Sequence, residues 1–134
     1  SAGKKCDAPV QLVDIYPTIL DLAGIAQNKD NDGHSLLPLI QQPQSKKWPH
    51  PALTFYGPNN VSVVKDNHQL IQYEDKSQEL YNLIKDPNEW NNLVFNKENN
   101  AKAKNLAKYI PQKQASISPY LKYDINAYFR ALLE

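Results

Sequence analysis

The chain has 134 residues, which is enough for a single domain with a hydrophobic core of its own. Its 15 basic and 14 acidic residues leave a net charge of +1, which excludes a strong field for nucleic acid or an anionic membrane. No apolar run approaches the roughly 20 residues that a membrane span needs. The single cysteine, Cys6, excludes an intrachain disulfide, and because the chain has no methionine we expect it to be part of a longer polypeptide.

The first predicted element is a short buried helix within PVQLVDIYPTILDLAGI, residues 9–25. Asp14 is placed to cap its first turn, Pro17 fits that turn because its missing amide hydrogen has no partner there, and Gly24 supplies a left-handed stop. Its apolar residues recur at helical spacing, at Ile15, Ile19, Leu22 and Ala23. After a polar linker, Ser35 is placed to cap a second short helix, LLPLIQQ.

From Pro51 onward the hydrophobic period changes from helical spacing to short β-prone runs. The runs ALTFY, SVVK, QLIQY and ELYNL are separated by the turn-forming stretches GPNN, DN and EDKS. This pattern predicts an antiparallel meander of about four strands. The predicted fold class is therefore α+β, a small antiparallel sheet with a packed C-terminal helix, preceded by short helices.

The stretch DPNEW after the last predicted strand is typical of a helical turn with a capping box. In this interpretation Asp86 is the cap, Pro87 takes the first position, Glu89 reaches back, and Trp90 and Leu93 point inward. An amphipathic helix is then predicted around residues 97–110, with an inward face made of Ala103, Leu106, Ala107 and Ile110. The final run YDINAYFRALL is predicted to be a docking segment or a short last helix.

Patterns that carry chemistry are scarce along the chain. The histidines, at positions 34, 50 and 68, lack zinc-motif spacing, and the sequence contains no GxSxG elbow, phosphate-binding glycine loop or HExxH helix. Asp30 and Asp32 lie in a stretch like a calcium loop that lacks its distal glutamate. We therefore predict no catalytic and no metal-binding residue here. Trp48, in a proline-rich loop, is the aromatic side chain best placed to stack on a sugar.

Two segments together resemble the sulfatases of the alkaline phosphatase superfamily, in the branch similar to iduronate sulfatase and choline sulfatase. PVQLVDIYPTILDLAGI followed by DGHSLLPLI resembles the stretch that closes the family's catalytic α/β domain. QLIQYEDKSQELYNLIKDPNEWNNL resembles the family's C-terminal hairpin with its "ELYDL, then DPxExxNL" signature. The resemblance covers approximately residues 7–111. It implies that residues 1–47 close the catalytic domain and that residues 48–134 form the C-terminal subdomain.

The resemblance also implies a mechanism for the parent enzyme. A cysteine or serine in a CxPxR motif becomes formylglycine, which attacks sulfur, and aspartates and an asparagine hold a divalent cation, usually calcium. These motifs lie upstream in the family, and Cys6, in CDAPV, does not match the precursor motif. We therefore expect this chain alone to be inactive. The implied partners are the N-terminal catalytic domain of the same polypeptide and a sulfated small molecule or glycan, with no nucleic acid and no membrane, in a periplasmic or secreted parent.

One family feature that contacts substrate falls inside the chain. Many relatives resemble GxNHAVR before the hairpin, and the corresponding run here is GPNNVSVVK. Asn60 matches, whereas Val61 and Val64 stand where histidine and arginine are common. The residues expected to approach the substrate cleft are His34, Tyr56, Asn59 and Asn60.

Two other functions stay open from the sequence. The chain could be a free-standing carbohydrate-binding module that uses Trp48 and the tyrosines, although the missing methionine and the closing helix favour part of an enzyme. Alternatively, the parent could hydrolyse a phosphate or phosphonate ester within the same superfamily. The identity of the nucleophile, which lies upstream in the family, would distinguish such an esterase from a sulfatase.

Overall fold

The computed structural model describes residues 3–44, 48–57 and 59–114. The predicted docking segment YDINAYFRALL lies outside these residues, and the proposed division of the chain at residue 47 stays a prediction. Along the described chain, two short helices precede a four-stranded sheet, and a third helix follows it. Within the described residues, no helix has the length and apolar character that crossing a membrane requires.

The predicted first helix forms, but its surroundings differ from the prediction. A 3-10 turn at Leu12–Asp14 leads into α1 at Ile15–Leu22, and Gly24 follows at a φ of 67°. The expectation of a buried helix is wrong, because only two of its eight residues, Pro17 and Thr18, are buried. The apolar side chains of Ile19 and Leu22 are 56% and 61% exposed, since no second layer covers them within the described residues.

Asp14 does not act as the predicted cap of α1. Its carboxylate accepts hydrogen bonds from the backbone N–H groups of Gln11 and His34, both at 2.9 Å. Thr18 adds a second link, because its hydroxyl donates to the Asp14 carbonyl and accepts from the Leu36 N–H. Asp14 is only 2% exposed, so this buried carboxylate fixes residues 34–36 beside α1.

The second helix, α2 at Leu37–Gln41, begins one residue later than predicted. The Ser35 hydroxyl still serves its first turn by accepting a hydrogen bond from the Leu37 N–H at 3.3 Å. Pro38 stands in the first turn, as expected for a residue without an amide hydrogen.

The predicted four-stranded antiparallel meander is confirmed. Its strands are β1 at Ala52–Phe55, β2 at Val61–Lys65, β3 at His68–Gln72 and β4 at Gln78–Asn82, paired in the order β1-β2-β3-β4. The two-residue turn between β2 and β3 places Asp66 and Asn67 at positive φ, which suits the right-handed twist of a hairpin.

One face of this sheet carries the core. The register aligns Val63, Leu70 and Leu80 across three strands, and all three are fully buried. The third helix, α3 at Asn100–Ala107, follows a 3-10 turn and packs Ala103 and Leu106 onto them. The predicted amphipathic helix and its inward face are therefore confirmed.

The DPNEW segment differs from its predicted capping box. Glu89 donates its backbone N–H to the Asp86 carbonyl and takes a φ of 57°, so the chain makes a turn and no helix begins there. The Asp86 carboxylate accepts from the backbone N–H groups of Trp90 and Asn91. The left-handed residue redirects the chain, which leaves Trp90 81% exposed instead of inward, whereas Leu93 packs against the core as predicted.

The segment after this turn covers the outer edge of β4. Leu93 donates its N–H to the Leu80 carbonyl at 2.8 Å, and Asn92 Oδ1 accepts from the N–H groups of Leu80 and Val94. An exposed strand edge invites pairing with other chains. These hydrogen bonds use the N–H and carbonyl groups of Leu80 on that edge, so neither group is available to pair with another chain.

Candidate functional site

The predicted cleft residues Tyr56, Asn59 and Asn60 lie together in the loop that joins β1 to β2. The Tyr56 N–H donates to the Asn60 carbonyl at 3.0 Å and closes the loop, while Gly57 and Asn59 both adopt a φ of 62°. Glycine and asparagine are the residues that tolerate this left-handed conformation best. These residues therefore form a tight loop, in which the Tyr56 side chain is 68% exposed.

Two hydrogen bonds hold this loop from outside β1 and β2. The Asn59 N–H donates to Gln114 Oε1 at 2.9 Å, and Asn60 Oδ1 accepts from the Glu74 N–H at 3.2 Å. The first bond comes from the segment after α3, and the second from the turn between β3 and β4. The loop is therefore anchored on two sides and offers uncharged donors and acceptors, which suit hydroxyl or sulfate oxygens.

His34, the fourth predicted cleft residue, lies in a different place. Its imidazole stacks on that of His50, with ring centroids 3.5 Å apart and planes inclined by 24°. His50 precedes β1, whereas Tyr56 follows it, and the four residues of that strand span about 13 Å. The described chain thus groups three of the four predicted residues and separates His34 from them.

The stacked histidines belong to an aromatic cluster that spacing along the sequence did not reveal. The Trp48 ring meets His50 edge-on, with centroids 4.8 Å apart and planes inclined by 70°. Trp48 is half-buried and donates its Nε1–H to the Pro9 carbonyl at 3.0 Å, so its indole joins two parts of the chain and is not a free stacking platform. Sixteen positions separate His34 from His50, and no short motif signals a contact of that range.

The surroundings of the His50 imidazole disfavour its protonation. Burial is the main cause that lowers the pKa of His50, and His34 and Lys65 lower it further, while the Asp14 carboxylate opposes them. Lys65 Nζ donates to the Pro49 carbonyl at 2.7 Å and lies 5.6 Å from the centre of the Tyr109 ring. The neutral form of the His50 imidazole is therefore favoured in this contact.

A groove runs beside β1, the first strand of the sheet. Its volume is about 900 Å³, and its walls are residues 10–13 on one side and β1 on the other, with Pro111, Lys113 and Gln114 near the hairpin loop. Gln11 crosses the groove, because its Oε1 accepts from the Leu53 N–H at 3.0 Å. The groove adjoins the loop through Gly57.

The described residues do not fit a formylglycine or calcium centre. Within residues 3–44, 48–57 and 59–114, no three histidine, cysteine, aspartate or glutamate side chains are grouped to hold a metal ion. Cys6 is exposed and stands in CDAPV, not in CxPxR.

Comparison with known proteins supplies the family. The profile of the family described as "N-sulphoglucosamine sulphohydrolase, C-terminal" matches residues 1–116. A sulfatase of Formosa agariphila is 38% identical over 127 residues, which cover 95% of this chain and 25% of that relative. Arylsulfatase K of Danio rerio is 38% identical over 104 residues, which cover 69% of this chain and 20% of that relative.

Comparison with solved structures gives a similar fold. The structure of BT4656 in complex with its substrate, D-glucosamine-2-N,6-O-disulfate, superposes with a TM-score of 0.58 and 26% identity over 71% of this chain and 22% of that one. The chain spans about a quarter or less of the length of each of these three proteins. The sequence-based resemblance to sulfatases is thereby confirmed, and the chain belongs to the N-sulphoglucosamine sulphohydrolase C-terminal family of sulfatase domains.

Proposed function

We propose that the protein carrying this chain is a sulfuric ester hydrolase, and that this chain completes its fold and forms one wall of its substrate cleft. The observation that carries the proposal is the match of residues 1–116 to a C-terminal sulfatase family. In this proposal the chemistry comes from the rest of the polypeptide. The resemblance to sulfatases implies that this chemistry uses formylglycine as nucleophile and a bound divalent cation, usually calcium.

The partner that the chain needs first is the N-terminal catalytic domain of the same polypeptide. Residues 10–25 expose a run of large apolar side chains: Val10, Leu12, Val13, Ile15, Tyr16, Ile19, Leu22 and Ile25. So many exposed large apolar side chains in one segment are typical of an interaction surface. Since the chain covers a quarter or less of its relatives, the remainder of such a protein would supply the covering surface.

The hairpin loop of Tyr56, Asn59 and Asn60 is the proposed contact with substrate. It is exposed at Tyr56, anchored at Asn59 and Asn60, and adjoins the groove beside β1. A phenol and amides can donate to and accept from sugar hydroxyls or a sulfate group without adding charge. The proposed substrate is a sulfated small molecule or a sulfated glycan, which agrees with the sulfated glucosamine bound by BT4656.

Activity of the full-length protein tests the reaction class. We expect turnover of an aryl sulfate to exceed that of the matching aryl phosphate, and we expect the purified 134-residue chain to turn over neither. Preference for the phosphate would place the protein among the phosphoesterases. Tight binding of a sulfated glycan by the 134-residue chain alone would favour a carbohydrate-binding module.

A pair of aromatic truncations tests the role of the loop. In the full-length protein, Tyr56→Ala should raise KM for a sulfated glycan, whereas Phe95→Ala should not, because Phe95 is also an exposed aromatic residue but lies in a different segment. A loss of one hydrogen bond and of ring contact would raise KM by about five- to tenfold. Equal KM values for the two variants would remove Tyr56 from the substrate wall.

A further inference from the structure

Two stacked imidazoles join the beginning of the described chain to the start of the sheet. His34 lies 3.5 Å from His50 between ring centroids, and the planes are nearly parallel. Trp48 packs its edge on His50 and donates its Nε1–H to the Pro9 carbonyl. The contact therefore links residues 9–34 on one side with residues 48–50 on the other.

The charged groups near the pair come from three elements. Asp14, in the 3-10 turn before α1, accepts a hydrogen bond from the His34 N–H, and Asp21 of α1 accepts one from Ser35, the neighbour of His34. On the sheet side, Lys65 of β2 is the charged group that faces His50. The Asp14 carboxylate is already engaged by two backbone N–H groups and is opposed by Lys65, so it cannot neutralise two imidazolium ions.

We propose that the His34–His50 stack is a pH-operated latch, which holds residues 9–34 against residues 48–50 while both rings are neutral and opens when both are protonated. At a centroid separation of 3.5 Å, two uncharged imidazole rings are in van der Waals contact, whereas two positive charges at this separation repel each other. The resemblance to sulfatases implies that residues 1–47 close the catalytic domain and that residues 48–134 form the C-terminal subdomain. In that division of the chain, the latch lies at the junction between the two. Acidification would then loosen that junction without unfolding the sheet.

The direction in which pH acts on the latch follows from the pKa of His50. Burial, His34 and Lys65 lower the pKa of its imidazole from the ordinary value of 6.5. A base whose folded pKa is lowered binds its proton more readily in the open or unfolded chain. Its stabilising contribution is therefore complete above pH 6.5 and is lost as the pH falls through 6.5 toward the lowered value.

Hydrogen exchange on the full-length protein tests the latch. Protection of backbone amides in residues 9–14 and 34–37 is measured at pH 7.5 and pH 5.0, at low ionic strength, relative to the β2–β3 hairpin. Each rate is corrected for the intrinsic pH dependence of exchange. We expect the relative protection to fall about sevenfold or more at pH 5.0, the factor for separating two unit charges 3.5 Å apart in bulk water.

Three single substitutions identify the groups responsible. His50→Phe and His34→Phe each keep an aromatic ring and remove the charge, so either should abolish the fall in protection. Because His34 is exposed, His34→Phe remains informative even if His50→Phe does not fold. His68→Gln removes the third histidine, which lies on β3, and should leave the fall unchanged.

Two outcomes would overturn the latch. An equal fall in the phenylalanine variants and the wild type would assign the pH effect to other groups. No fall in the wild type would show that the stack is a permanent structural contact. Either outcome leaves the proposed sulfatase activity untouched, because that activity is measured separately.

Discussion

Gln114 holds Asn59 in place: the side-chain oxygen of Gln114, beyond α3, accepts the backbone N–H of Asn59 at 2.9 Å in the loop between β1 and β2. Asn59 has a φ of 62°, in the left-handed region that is costly for residues other than glycine. A bond to a distant segment therefore helps to fix the loop in the conformation that presents Tyr56.

Gln114→Ala should loosen this loop and weaken substrate binding in the full-length protein. One net hydrogen bond of about 1 kcal/mol corresponds to a rise of about fivefold in KM, with kcat and the melting temperature nearly unchanged. Gln112→Ala is the matched control, because Gln112 is an exposed glutamine two residues earlier. If both variants have the wild-type KM, the loop does not need this anchor.

The structure leaves Trp90 exposed, although the sequence predicts that it points inward, and it buries Leu80 completely. Leu80 has no exposed surface and packs against Leu70 and Leu106, whereas Trp90 is 81% exposed. Leu80→Ala should cost about 3 kcal/mol of unfolding free energy, because it leaves a cavity in the core. Trp90→Ala should cost less than about 0.5 kcal/mol. Urea unfolding of both variants measures the difference, and a larger loss for Trp90 would contradict this packing.

The sheet and α3 could be predicted from the sequence because their signals are local. Runs such as SVVK and QLIQY carry β-prone residues between turn formers, and Asp66 and Asn67 tolerate the positive φ that their hairpin needs. Ala103 and Leu106 lie at helical spacing, and both face the core. Each of these features depends on a few neighbouring residues.

The remaining features depend on contacts that neighbouring residues do not specify. Trp90 turns outward because Glu89 takes a left-handed conformation, which glutamate seldom adopts and the DPNEW pattern does not signal. The stack of His34 on His50 requires two loops to meet. Asp14 was expected at a helix cap because its position fits one, yet its carboxylate binds Gln11 and His34.

Asp86 gives a prediction about acid stability. Backbone N–H groups of Asn91 and then Trp90 are the main causes that lower the pKa of its carboxyl below the ordinary value of 3.8. The ionised form is favoured in the folded chain, so its contribution is present above about pH 3.8 and is lost as the pH falls through the lowered pKa. Asp86→Asn should therefore lower the melting temperature at pH 7, and its difference from the wild type should shrink toward pH 2.

Asp75 provides the comparison for that experiment. Hydrogen bonds from the side chain and backbone of Ser77 likewise lower the pKa of the Asp75 carboxyl, but Asp75 lies in the turn between β3 and β4. Melting curves of Asp86→Asn and Asp75→Asn from pH 7 to pH 2 separate the two turns. A pH-independent difference between Asp86→Asn and the wild type would show that ionisation of Asp86 does not stabilise its turn.

The last prediction concerns the apolar face of α1. Substitutions on this face should have different effects in the 134-residue chain and in the full-length protein. Ile19 and Leu22 are more than half exposed in this chain, so Ile19→Ser and Leu22→Ser should change its unfolding free energy by less than about 0.5 kcal/mol. The same substitutions should reduce self-association of the chain, which light scattering measures, because they remove part of an exposed apolar patch.

In the full-length protein, the proposed catalytic domain would cover this face, and each substitution should then cost about 1.5–3 kcal/mol, the free energy of burying one large aliphatic side chain. Phe95→Ser is the matched control, since Phe95 is exposed but belongs to the segment after β4. It should have a small effect in both proteins. Small losses for Ile19→Ser and Leu22→Ser in the full-length protein, equal to those in the 134-residue chain, would show that α1 does not dock on the remainder of the polypeptide.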